Sequence, residues 1–278
     1  MNQYTKSMHF SALPKAKLTL LRKIQQKKYR YEFQLYMAEG FRLVSEFLVT
    51  SPESIEFIIV EENSKYELKH DFVFHLSTTE IKEFAETQHS QGIIAVVKMP
   101  KVREIAEILQ NAKLIVVCDA VQDPGNLGTI VRNALWFGAD ALILGEGTVD
   151  LYNPKTIRSC MSSLISISIR QLNLNSFFEI AESLGFQTYL FRLTSDSVEL
   201  NKIEFTEKAL LVIGNEGNGI QESLVKPGRT SVIIPDFSKG KTESLNASVA
   251  SGIALHEYRN QHQKKTLNQN NNLECLEK

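Results

Sequence analysis

Between residues 17 and 97 the chain alternates short apolar, β-prone runs with stretches whose apolar residues recur every three or four positions. Residues 17–26 and 42–49 have the helical spacing, 79–86 has a capped helical start, and 33–38, 55–60, 72–76 and 92–97 read as strands. These predict a small α/β unit. Pro100 and the charged stretch 101–104 close it, and a helix over 105–110 opens the next segment.

From Lys113 the rhythm becomes regular. Strands are predicted at 114–119, 141–144, 165–169, 187–191, 210–213 and 231–234, and helices at 128–137, 154–160, 176–184 and 245–261. Strands this uniformly apolar are covered on both sides, so the expected fold is α/β with a mostly parallel sheet and helices on both faces. In open sheets of this kind the ligand site lies beyond the carboxyl ends of the strands. The last residues are rich in Asn and Lys with little apolar content, the composition of a disordered tail. The expected domains are 1–105, 106–262 and a tail over 263–278.

With 278 residues, 43% of them hydrophobic, the chain has enough apolar material for a sizeable core. Cys118, Cys160 and Cys275 lie far apart, without a CxxC pair or a Cys/His cluster, so neither a disulfide framework nor a metal site is expected. No apolar signal core and no run of about 18 apolar residues is present. The expectation is a cytoplasmic protein with no membrane association. The net charge of −1 hides an asymmetry: residues 1–31 hold eight Lys or Arg and no acidic residue, leaving 23 basic against 32 acidic in the remainder. Lys15, Lys17, Arg22, Lys23, Lys27, Lys28 and Arg30, followed by Tyr29, Tyr31 and Phe33, are suited to phosphates and unstacked bases, although a solvated helix face has the same composition.

Three blocks carry the candidate chemistry, each where a strand ends or a helix begins. In the first, Asp119-Ala-Val-Gln-Asp-Pro-Gly125 turns the chain, Asn126 is the expected helix cap, and Arg132 follows at a spacing that lets it reach back toward the strand ends. In the second, the strand 210–213 runs into Gly214-Asn-Glu-Gly-Asn-Gly219, whose glycines let a ligand approach the backbone. Glu216 there is the one carboxylate, and in isolation it reads as a turn residue. Ile220-Gln221 follow where a P-loop needs Lys-Ser or Lys-Thr, so a nucleotide phosphate cradle is disfavoured. In the third, Val232-Ile-Ile-Pro-Asp236 leads to Glu243-Ser-Leu-Asn246, where Ser244 and Asn246 can satisfy free N–H groups at the start of the final helix.

These blocks, in this order, resemble motifs one to three of the SpoU-type (TrmH-like) RNA ribose 2′-O-methyltransferases of the SPOUT superfamily, over roughly residues 113–260. Asp150-Leu-Tyr-Asn-Pro-Lys155 with Arg158-Ser159 is also similar to the family, and Ala38-Glu-Gly-Phe-Arg-Leu-Val-Ser45 resembles the small ribosomal-protein-like RNA-binding domain that precedes the catalytic domain in many members. The resemblance implies a C-terminal trefoil knot, S-adenosylmethionine bound in it, and a homodimer in which two subunits complete the site. By motif matching, Gly214, Glu216, Gly219, Ile234, Pro235 and Leu245 would contact the cofactor. Arg132 would act on the ribose hydroxyl, with Asn126, Glu216, Ser244 and Asn246 as positioning groups. A guanidinium stays protonated near neutral pH, so electrostatic stabilisation suits Arg132 better than proton abstraction. Two features depart from the family pattern: Asp236 stands where an apolar residue is common, and Met161-Ser-Ser163 replaces a small Gly-Ala pair.

The implied substrate is structured RNA, with ribosomal RNA (23S-type) favoured over transfer RNA because of the added N-terminal domain. The alternatives are a tRNA 2′-O-methyltransferase and a non-catalytic RNA-binding protein that retains the fold.

Overall fold

The computed structural model describes residues 12–66, 68, 72–87, 90–238, 241 and 243–276. In chain order the elements are α1 (Lys15–Ile24), α2 (Lys27–Phe33), β1 (Leu35–Glu39), α3 (Phe41–Thr50), β2 (Ile55–Glu61), β3 (Val73–Leu76), α4 (Thr78–Lys82), β4 (Ile93–Lys98), α5 (Ile105–Asn111), β5 (Leu114–Cys118), α6 (Pro124–Trp136) and β6 (Ala141–Leu144). They continue as α7 (Pro154–Cys160), α8 (Ser163–Ser166), β7 (Ser168–Gln171), α9 (Leu174–Ser183), β8 (Gln187–Phe191), β9 (Val198–Glu199), β10 (Ala209–Ile213), β11 (Thr230–Ile233) and α10 (Ala247–Leu276).

The chain forms two compact units. The first runs to Pro100 and also takes in Tyr152–Ser162; the second comprises Lys101–Leu151 and Ser163 onward. In the first, four strands lie in the order β1-β4-β2-β3, with β4 antiparallel to both its neighbours and β2 parallel to β3. Alternate residues Phe57 and Ile59 of β2 and Ile94 and Val96 of β4 point to one face, where Leu21 and Ile24, one helical turn apart on α1, close the core. Helix α4 starts with a capping box, Ser77 and Glu80 each satisfying the other's backbone N–H. The segment 152–162 joins this unit through side chains: the ring of Tyr152 lies 5.1 Å from that of Tyr36, Ile157 and Cys160 are buried, and Ser162 Oγ donates to Glu46. One boundary, after residue 105, was expected from the sequence; the return of α7 to the first unit was not.

The second unit is a seven-stranded sheet in the order β7-β6-β5-β10-β8-β11-β9, parallel at every pairing. Its central strands, Leu-Ile-Val-Val-Cys in β5 and Ala-Leu-Leu-Val-Ile in β10, are buried along their whole length, as strands covered on both faces must be. Because β5 and β10 are neighbours with Cys118 opposite Ile213, the loops that leave them begin side by side at Asp119 and Gly214. After β5 the chain continues to β6 on one side of this pair and after β10 to β11 on the other, the reversal of strand order at which open α/β sheets bind ligands.

The helix predicted over 79–86 ends at Lys82, Phe33 closes α2 instead of opening a strand, and three further elements differ. The alternating apolar residues at 165–169 read as a strand, yet the chain first makes the short helix α8, which buries Leu164, and the edge strand β7 starts only at Ser168. Helix α6 begins at Pro124, not 128, with Asp123 as its cap: Asp123 Oδ1 accepts from Asn126 N at 2.8 Å, and proline suits the first helical position. Helix α10 continues to Leu276, beyond the end expected near residue 261 and into the segment expected to be a disordered tail; no Gly or Pro after Gly252 interrupts it. Among the described residues no helix is long and apolar enough to cross a membrane.

Candidate functional site

The three blocks meet beyond the carboxyl ends of β5, β10 and β11. Freed from capping duty, Asn126 uses its side-chain amide to join them: Nδ2 donates to Glu216 Oε1 at 2.9 Å, and Oδ1 accepts from Asn246 Nδ2 at 2.8 Å. Glu216 also accepts from the backbone N–H groups of Gln122 and Asp123, both at 3.1 Å. Asn246 in turn caps α10, its Oδ1 accepting from Ser248 N and Val249 N. One residue from each block thus forms a continuous Glu–Asn–Asn chain, in which every acceptor is matched by a donor.

This environment tunes Glu216. Burial alone would raise its carboxyl pKa, but the bonds from Asn126, Gln122 and Asp123 outweigh it and hold the group below the usual carboxylate range. A depressed folded-state value contributes stability above the unfolded value and loses it as pH falls through the lower one. The carboxylate is therefore charged at neutral pH, and its contribution to stability is lost as the pH falls into the acid range.

Beside the chain lies a cleft of about 1200 Å³, lined by the ends of β8, β10 and β11 and by the loop before α10. It takes in Gly214, Glu216, Gly219, Ile234, Pro235, Ser244, Leu245 and Asn246, which is all of the expected cofactor contacts and three of the expected positioning groups. Its walls combine the backbone of 214–219 with the apolar Ile213, Ile220, Val232 and Leu245 and the carboxylates Glu216, Asp236 and Glu243. An apolar body, close backbone and nearby negative charge suit a flat heteroaromatic ligand that carries a cation. Of the two expected caps in the third block, Asn246 performs the task, while Ser244 is exposed at the cleft.

Arg132 is placed differently from the expectation. It is exposed on α6 and does not line the cleft. The reason is helical geometry: six residues at about 100° each leave Arg132 about 120° around the helix from Asn126, whereas seven return nearly to the same face. Asn133 occupies that face, and its Nδ2 donates to Ser248 O and Ser251 Oγ at 2.9 and 3.0 Å, holding α10 against α6. The sequence reading missed Asn133, although its spacing of seven from Asn126 was the available signal.

The basic N-terminal residues divide into three groups. Lys23 and Lys28 place their ammonium groups 5.5 Å from the Tyr29 ring, Lys23 is equally close to Phe33, and Lys27 lies 5.8 Å from Tyr31. Together with the exposed rings of Tyr31 and Phe33 they make the expected basic and aromatic surface. Lys15 is exposed nearby, while Lys17 sits 4.2 Å over the buried Phe57 ring and Arg22 is paired with Glu83 at 2.7 Å. Arg30 is buried and donates to the carbonyls of Ile24 and Gln25, at 3.3 and 2.7 Å, so its guanidinium seals the end of α1 rather than facing a ligand.

Comparison with known proteins agrees with both units. Residues 113–256 match the SpoU rRNA Methylase family, and residues 15–95 match the MRM3-like substrate binding domain. The 23S rRNA (guanosine(2553)-2'-O)-methyltransferase RlmP of Bacillus subtilis is 34% identical over 241 residues, covering 86% of this chain and 94% of the relative. A putative RNA methyltransferase of the TrmH family from Porphyromonas gingivalis superposes with a TM-score of 0.75 at 29% identity, covering 90% of this chain and all of that one. An AdoMet-bound rRNA methyltransferase from Sinorhizobium meliloti gives 0.73 at 26% identity, covering 90% and 96%. With its parallel sheet, the joined blocks and a family match over residues 113–256, this chain belongs to the SpoU rRNA methylase family.

Proposed function

We propose that the protein is an S-adenosylmethionine-dependent methyltransferase acting on a ribose 2′-hydroxyl of 23S-type ribosomal RNA, as a cytoplasmic homodimer without a metal. The observation that carries this reading is the Glu216–Asn126–Asn246 chain, because it ties one residue from each of the three blocks into a single network. In this reading residues 1–105 bind RNA substrate and 106–262 form the catalytic domain. A C-terminal trefoil knot belongs to the same reading, supported by Ile234, Pro235 and Leu245 lining the cleft.

When bound, S-adenosylmethionine supplies a methyl group on a sulfonium and departs as a neutral thioether. The backbone of 214–219, with Ile234, Pro235 and Leu245, would hold it. The ribose oxygen must pass its proton to water or a phosphate oxygen as the new O–CH3 bond forms and the S–CH3 bond breaks, so the protein's part is to orient that hydroxyl and stabilise its developing negative charge. Arg132 takes this role, through the oxygen itself or the adjacent phosphate, while the asparagines and Glu216 hold α6 in register. Its position outside the cleft of its own subunit supports a site completed across a dimer. So do Trp136, Val249 and Ile253, exposed on α6 and α10 at 85%, 49% and 36%.

Mapping ribose methylation in total RNA from cells with and without the gene tests the reading. One 23S-type site is expected to vanish on deletion and return with the intact protein. Loss of a transfer RNA site instead would favour the tRNA enzyme, and loss of none the non-catalytic protein. A separate test concerns the basic surface: Lys23→Glu, Lys27→Glu and Lys28→Glu together are expected to weaken RNA binding and flatten its salt dependence by about two in log–log slope. S-adenosylmethionine affinity, read by calorimetry, is expected to stay unchanged.

A further inference from the structure

Asp119, which follows β5, is completely buried and takes no part in lining the cleft. A carboxylate held from water costs free energy unless its oxygens are well paired. Both are: Oδ2 accepts from the backbone N–H of Gln221 at 2.7 Å and Oδ1 from Gln221 Nε2 at 2.6 Å. Gln221 stands at the far end of the loop that starts at Gly214. Two more ties run between the same two segments. Asn215 Nδ2 donates to Ala120 O at 2.7 Å, and Glu216 accepts from Gln122 and Asp123.

The backbone at Ala120 reflects this lacing. Ala120 adopts φ +53°, a left-handed conformation that costs a non-glycine residue about 1 kcal/mol or more and persists only where its surroundings impose it. Across the join, the 214–221 loop is rigid within itself. Asn215 and Gly219 exchange backbone hydrogen bonds of 2.9 and 3.0 Å, and Asn215 Oδ1 accepts from Gly217 N and Asn218 N. This loop forms part of the cleft wall and is stapled through Asn215, Glu216 and Gln221 to the turn that launches α6.

We propose that Asp119, acting through Gln221, is a positioning residue that locks the cleft-lining loop to the turn before α6, so that the cofactor wall and the helix bearing Arg132 move as one body. The inference rests on the proposed methyl-transfer reading and adds to it a residue that lines no part of the cleft. Its consequence is a split in the kinetics: loosening the staple weakens cofactor binding and transfer together, while RNA affinity, which resides elsewhere, is preserved.

Two variants test it in the full-length protein. Asp119→Ala removes both bonds and Gln221→Ala, at an exposed position, removes only the side-chain one. Expected are losses in S-adenosylmethionine affinity of about tenfold and about threefold by calorimetry, with RNA binding unchanged. Asp119→Asn is expected to restore affinity to near the parent value, since the Gln221 amide can turn to present its oxygen to the new donor. Hydrogen exchange supplies a ligand-free readout: in Asp119→Ala and Gln221→Ala the amides of 217–221 are expected to exchange faster, with those of β10 unchanged. If Asp119→Ala fails to fold, Gln221→Ala alone decides. Parent-like exchange in the folded variants overturns the proposal. Faster exchange in a protein whose parent binds no S-adenosylmethionine would leave the staple standing and remove the methyl-transfer reading.

Discussion

Arg132→Ala is expected to reduce methyl transfer by about 10²- to 10³-fold while leaving S-adenosylmethionine affinity within a few fold of the parent. The magnitude is that of deleting one charge-stabilising group aimed at a developing oxyanion. The separation of the two effects follows from geometry, since Arg132 is exposed on α6 and lines no part of the cleft. Folding is expected to be unaffected for the same reason. Single-turnover kinetics with saturating cofactor, alongside calorimetry, provide the check. Unchanged turnover would remove Arg132 from the mechanism, and a parallel collapse of cofactor affinity would place it in the cofactor wall instead. Mixing Arg132→Ala subunits with subunits defective in the cleft offers a further reading, because a site completed across a dimer regains activity in the heterodimer.

Gly214→Ala is expected to weaken S-adenosylmethionine binding by about 10- to 100-fold. A Cβ at Gly214 would lie 2.5 Å from Gly219 C and 2.7 Å from both Gly219 O and Ile220 N. All three are backbone atoms of the same loop, so no side chain can swing aside and the loop itself must open. Overpacking of this kind costs about 1–3 kcal/mol, which corresponds to the stated range if the cofactor must restore the closed loop. The strand β10 ends one residue earlier and keeps its ladder to β5 and β8. The variant is therefore expected to remain folded, by circular dichroism, while losing affinity. Parent-like affinity would mean that the 214–219 backbone does not contact the ligand.

Truncation is a poor way to assign roles to the first unit. Removing residues 1–100 strips the partners of Tyr152, Ile157 and Cys160, which are buried in the unit that the cut destroys. Substitutions at Lys23, Lys27 and Lys28 avoid this.

The pattern of apolar runs was enough to read most of the fold. Fully apolar strands such as 114–118 and 209–213 survive only inside a two-sided sheet, so the alternation with helices predicts parallel order directly. The composite site was legible in the same way, since polar residues at the carboxyl ends of β5, β10 and β11 share one edge of a parallel sheet. Local rules failed where two of them competed. Asn126 is an acceptable cap, but Asp123 followed by Pro124 is a better one, and the cap lies three residues sooner. Arg30 reads as one more surface cation in a basic run, yet from α2 its guanidinium reaches the end of α1, where it has two carbonyls to satisfy.

The sequence by itself determined most element types, the parallel sheet, the family, and that Gly214, Glu216, Gly219, Ile234, Pro235 and Leu245 share one site, because each depends on local spacing or on motif identity. Tertiary structure alone decided which side chain of α6 faces α10, that Asp119 staples the 214–221 loop, and that α7 belongs with the first unit. These are choices between partners far apart along the chain. Spacing along one helix ranks its faces, but only the packed neighbours determine which face is used.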